Sequence, residues 1–352
     1  MAYSVASSAA KLHGLPSRNS AKTERSSQSK VASLAMLWAK NYIGSLTTRD
    51  EALQLRQTTD LAEVTSREGR IRTTGYLQQN LKLASAQAWS LTEKLLNDEV
   101  YRHGIDSKAI DPWQIAADSH NLFQQTLTAY GERVTPHRLS VLVSAEFGRV
   151  RQKYTATDPR VLGFVSMQFH YTGQVLLDGL TIAEKRLLEP YFKVMDDQLY
   201  MPLRAAYEAA AEYPLSSPVL QAVQHLLPIS SRIAQAVCRQ VARQYPGYQS
   251  YSGPLNSSQV RVSSIRDAEM FQVYLCLCAL EEGLQSVQRE LFPLCVMLYP
   301  RLRVSWRLVQ EMLQAIGWEM HSTMAPEDVA IFLPYLTAFT EMFSSEVFQD
   351  IG

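Results

Sequence analysis

Apolar positions recur along this chain at helical spacing, and no run alternates strictly with a period of two. Leu77, Leu81, Leu83, Trp89, Leu91 and Leu95 make one such series, inside a long polar-faced helical stretch predicted from Thr48 to about Arg102. An earlier apolar run, Val31 to Ile43, predicts a first helix. Three further helices share one way of starting. Asp111-Pro112, Thr135-Pro136 and Asp158-Pro159 each place a capping side chain before a proline at the first helical position. Those helices are expected to run to about Tyr130, Tyr154 and Leu177. Thr181 and Glu184 have capping-box spacing and open a helical region to about Glu212, which Pro190 and Pro202 should break or kink. Ser217-Pro218 opens a helix to Leu227, Pro228 interrupts it, and Ile233 to Arg243 continues.

Tyr245 to Ser258, which reads YPGYQSYSGPLNSS, is the clearest loop. The stretch Ser264 to Met320 after it has the densest apolar patterning. Phe271, Leu275 and Cys278 share one stripe and Met270, Tyr274 and Leu277 its neighbour, so this helix should be buried over a wide face. Leu302, Trp306, Val309, Leu313 and Ile316 form another stripe, and a last helix is predicted from Ala325-Pro326 to about Phe343. The fold class that follows is all-α.

Composition adds limits. The 352 residues suffice for one large or two ordinary domains, and 34 basic residues balance 34 acidic ones, so nothing points to nucleic acid. Residues 1–30, rich in Ser and Ala with scattered Lys and Arg, read as a disordered basic tail. No apolar segment reaches a membrane span: Val161 to Leu177 carries Gln168, His170 and Gln174. With no secretory leader pattern, a cytoplasmic protein is expected. The four cysteines lie in apolar helical segments and are expected as buried free thiols; Cys238 could approach a pocket but is read as core. Seven histidines show no metal-ligand spacing, and His170 is read as a satisfied core residue. Asp196-Asp197 is read as a solvated pair. No phosphate loop or nucleophile motif is present, so a non-enzymatic protein is expected.

Four features then occur in a particular order: the helix SRIAQAVCRQVAR (Ser231 to Arg243), the Pro/Gly loop Tyr245 to Asn256, the run Ser264-Ile265-Arg266-Asp267 followed by a long apolar helix ending at Glu282-Gly283, and the closing segment STMAPEDVAIFLPYLTAFTEMFS. Together they resemble the phycobiliproteins, most closely the allophycocyanin α-type subunit. The resemblance implies a globin-like domain over residues 179–352, preceded by a separate helical N-terminal domain of unknown type over residues 31–178. It also implies a cyanobacterial setting at phycobilisomes, in photosynthesis and light harvesting. Implied partners are allophycocyanin-like phycobiliprotein subunits or a second copy of this chain, with a peripheral place at the thylakoid surface.

Where that family carries Cys-x-Arg-Asp, this chain has Ser264, Arg266 and Asp267. A serine hydroxyl does not match a thiol in forming the thioether to a linear tetrapyrrole, so covalent bilin attachment is expected to be lost. The resemblance still implies that Arg266 pairs with a propionate and that Asp267 accepts from pyrrole N–H groups. The plain alternative is that both residues cap or pair at a helix start. Met270 and Phe271 are also large enough to fill a pocket beneath Ser264. Two readings follow: a phycobilisome-associated interaction protein that has lost its chromophore, and a sensor or carrier holding a bilin non-covalently. A lyase or chaperone for chromophore attachment is a third, for which no catalytic residue stands out.

Overall fold

The computed structural model describes residues 30–31 and 60–344. Apart from Lys30 and Val31, the expected basic tail and first helix lie outside the described residues. The fold is all-α. A short helix α1 (Asp60–Thr65) leads into the long α2 (Arg67–Arg102), followed by α3 (Pro112–Gly131), α4 (Pro136–Thr155), α5 (Val161–Asp178) and α6 (Ile182–Tyr200). Then come α7 (Leu203–Ala211), α8 (Pro218–Leu226), α9 (Ser230–Gln244), α10 (Ser258–Glu281), α11 (Phe292–Arg301), α12 (Trp306–Thr323) and α13 (Pro326–Met342). Two-residue strands β1 (Gln249–Ser250) and β2 (Gly253–Pro254) pair antiparallel between α9 and α10. No described helix is long and apolar enough to cross a membrane.

The helix starts follow local chemistry. The Asp111 side chain accepts from Trp113 and Gln114 backbone N–H groups, Thr135 accepts from Arg138, and Thr181 with Glu184 forms the full capping box. Asp158 departs from expectation: its carboxylate takes the Arg160 backbone and guanidinium N–H groups, and the regular helix begins at Val161. Pro190 is carried inside α6, so the predicted break there does not occur. Pro202 does end that helix, at Met201. The turn after α10 also differs from the usual pattern. Glu282, not Gly283, takes the left-handed conformation, with φ of 51°.

In the first half, α2 packs along α3 and α5, while α6 lies on α4. In the second half α10 is the axis, touching α7, α8, α9, α12 and α13. From Ala268 to Leu280 every residue of α10 is buried, so the wide face expected from the pattern becomes the whole circumference. The turn between residues 178 and 182 separates the two stretches distinguished in the sequence, yet one connected cluster of buried apolar residues takes in members from Val31 to Phe343. α11 closes back onto α2 and α5, where Gly163 lets it approach: a Cβ there would lie 2.6 Å from the Met297 methyl carbon.

One buried cation joins four segments. Arg151 of α4, 7% exposed, donates from Nη1 to the Leu199 and Tyr200 carbonyls at 2.9 Å each. From Nη2 it donates to the Tyr274 hydroxyl at 2.7 Å and to Glu290 at 2.8 Å. The two carbonyls belong to the last turn of α6, where no intrahelical donor follows and a cation is favoured by the helix dipole. Removing one member of such a buried network strands the others. Arg151→Met is therefore expected to cost about 3 kcal/mol or more of folding stability, read from urea unfolding. A loss well under 1 kcal/mol would show that the stranded groups are satisfied some other way.

A candidate ligand cavity around Arg266 and Asp267

The loop after α9 folds as a small hairpin. Ser250 faces Gly253 across it, and the Ser250 hydroxyl donates to the Gly253 carbonyl at 2.8 Å. Gly253 has φ of +126°, which side-chain-bearing residues rarely adopt. The hairpin is fastened to the turn between α11 and α12. The Tyr251 backbone N–H donates to the Leu302 carbonyl at 2.9 Å; the Tyr248 hydroxyl donates to the Arg303 carbonyl at 2.9 Å and accepts from the Ser305 N–H at 2.7 Å.

Between this hairpin and the helices lies a cavity of about 390 Å³, within the range of small-molecule sites. The first turns of α10 supply its polar wall. Gln259, Ser263 and Arg266 make one stripe, Val260, Ser264 and Asp267 the next, and all six line the space. The three residues singled out in the sequence are thus brought together on one wall. α10 starts at Ser258 with Ser257 as its N-cap, which places Arg266 and Asp267 in the third turn, too deep to cap the helix. Met270 and Phe271 are fully buried and lie outside the cavity lining, so neither fills it.

Several wall residues were not legible as such. Tyr200, the last residue of α6, has its ring beneath the Arg266 guanidinium, 4.3 Å from carbon to centroid. Met167, His170 and Tyr171 of α5 and Leu91 of α2 also line it, so the cavity draws on both halves of the chain. His170, read from sequence as core, opens onto the cavity. Its polar neighbour Gln168 turns to the interior instead, its amide nitrogen donating to the Ser85 carbonyl and hydroxyl at 2.9 Å while its Oε1 is buried without a partner among the described residues. The sign was present in the sequence as three polar-capable residues inside an apolar helix; which of them faced a void was not. Cys238 also lines the cavity. Burial, with smaller contributions from Asp267 and Glu269, pushes its thiol up to about 12, so it stays protonated and poorly nucleophilic.

The electrostatics are unusual for an apolar hollow. Arg266 Nε has no hydrogen-bond partner among the described residues, and its nearest ion-pair partner, Asp196, stands at 4.0 Å. Asp267 Oδ1 is likewise buried without a partner. Burial raises Asp267 to about 6, against the opposing pull of Arg266 and the Tyr200 hydroxyl. Burial, then the charge of Arg266, lowers His170 to about 4. Behind the wall, Lys193 bridges Asp197 and Glu269 at 3.1 Å each, with Asp197 0% and Glu269 1% exposed. The adjacent aspartates are therefore not a solvated pair. Among the described residues no cluster of side chains is arranged to hold a metal ion.

Comparison with protein families, with characterised proteins and with solved structures finds no match to this chain.

Burial raises Glu269 from 4.5 to about 7, with Lys193 opposing. A carboxyl held protonated in the fold but ionised in the unfolded chain destabilises progressively as pH rises between those two values. Wild-type stability relative to Glu269→Gln is therefore expected to fall from about pH 4.5 to about pH 7 and to level off above. Parallel urea titrations of the two proteins across that range check this; a constant difference would mean that Glu269 titrates normally.

Proposed function

We propose that this is a non-enzymatic, phycobiliprotein-like protein, globin-like in its C-terminal half, that holds a linear tetrapyrrole without a covalent link. The observation that carries the reading is the pair Arg266 and Asp267, side by side on the wall of an apolar cavity with hydrogen-bonding capacity unspent. A guanidinium suits a propionate, and a carboxylate suits a set of pyrrole N–H groups. Unpartnered polar atoms in a low-dielectric wall are costly, and a ligand with complementary groups removes that cost. Ser264 and the protonated Cys238 thiol leave the site without an activated sulfur, which supports a carrier or sensor over a covalent light-harvesting subunit.

In the setting implied by the resemblance, the protein works at phycobilisomes near the thylakoid surface. It would dock there on allophycocyanin-like subunits or on itself.

Co-production with phycocyanobilin tests the reading. A visible absorption band is expected in the native protein and is expected to leave the protein in acid urea. Asp267→Asn should weaken or shift the band, because an amide replaces the acceptor pair with one acceptor and a donor. A band retained by the denatured chain would point to a covalent link. No band at all would favour the interaction-protein reading instead.

A further inference from the structure

Part of the cavity lining belongs to α5, outside the stretch that resembles phycobiliproteins, and it includes the imidazole of His170. Among the described residues neither ring nitrogen of His170 makes a hydrogen bond; its ring is tilted against Tyr171, with centroids 5.5 Å apart. Two residues earlier on the same helix, Gln168 has two interior acceptors for its amide nitrogen. The fold thus engages the amide nitrogen of one polar side chain of α5 in the interior and sets the other along the cavity.

Arg266 lines the same space, near enough for its charge to act on the imidazole. Its Nε is unpartnered and the Tyr200 ring covers one face of the guanidinium. Burial and the guanidinium together keep His170 uncharged at neutral pH. It is therefore a donor and an acceptor at once, rather than a second cation. Arg266 alone is a weakened anion receptor, because Asp196 and Asp267 stand beside it and offset its charge. An incoming carboxylate gains from a further donor, and the neutral imidazole N–H is one that the cavity lining provides without a partner among the described residues, beside hydroxyls such as that of Ser264.

We propose that His170 is a ligand-recognising residue that shares a ligand carboxylate with Arg266, so that the cavity selects free acids over their esters. The role rests on the reading of the cavity as a tetrapyrrole site, while its chemistry requires only an apolar molecule bearing a carboxylate. Tyr171, Tyr200 and the hairpin tyrosines would flank the apolar body of such a ligand.

The test is a set of titrations of wild type, His170→Leu and His170→Gln with biliverdin, biliverdin dimethyl ester and octanoate. Wild type should bind biliverdin more tightly than the ester. Loss of one hydrogen bond to a charged group should weaken biliverdin roughly tenfold in His170→Leu and leave the ester unchanged. His170→Gln, which keeps an N–H donor, should recover much of the difference. Unchanged ester binding also shows that the variant is folded. Equal weakening of acid and ester, or no weakening of either, overturns the assignment. If wild type binds octanoate in a His170-dependent way but no bilin, the tetrapyrrole reading fails and the carboxylate role stands. Binding of none of the three overturns both.

Discussion

The end of α6 is held by one guanidinium, and the geometry of the cavity depends on that hold. Arg151 accepts no compromise in its surroundings: it is buried, permanently charged, and satisfied by two carbonyls, a hydroxyl and a carboxylate from three other segments. The carbonyls are those of Leu199 and Tyr200, at the point where Pro202 forbids the helix to continue. Fixing that last turn fixes the Tyr200 ring, and the Tyr200 ring is the surface on which Arg266 rests. A side chain in α4, far from Arg266 in the sequence, thereby sets the direction in which the cavity presents its positive charge.

The charges around α10 form two tiers with different physics. The deeper one, Lys193 with Asp197 and Glu269, is paired within itself at 3.1 Å and lies outside the cavity lining, with Glu269 Oε1 left without a hydrogen-bond partner among the described residues. Its desolvation is offset by mutual attraction and by partial protonation of Glu269. The shallower one, Arg266 with Asp267 and Asp196, is loosely paired and meets the cavity. The open one carries the functional reading, since the missing partners are of the kind a ligand supplies.

Much of the helix order was legible because caps and prolines act locally. Asp111, Thr135, Thr181 and Ser217 each mark a helix start at the residue where it occurs. Pro190 does not end its helix because a proline inside a packed helix costs a hydrogen bond that tertiary contacts can offset, whereas at Pro202 the Arg151 contacts favour the stop. Arg266, Asp267 and Ser264 could be singled out because their spacing resembles a known motif, and the structure sets all three along one wall. His170, Tyr171, Tyr200 and Leu91 could not be assigned to that wall. Their membership depends on how α2, α5 and α6 dock, which is long-range information that a helical repeat does not carry. The same limit hid Arg151 and the interior ion pairs of Asp197.

The hairpin over the cavity has a thermodynamic consequence. Its tyrosines tie it through three hydrogen bonds to one short turn, and Gly253 supplies the bend without strain. A loop left free until a ligand arrived would lose conformational entropy at that moment and weaken the complex accordingly. Here the ordering is completed when the chain folds, so an incoming molecule meets a preorganised surface.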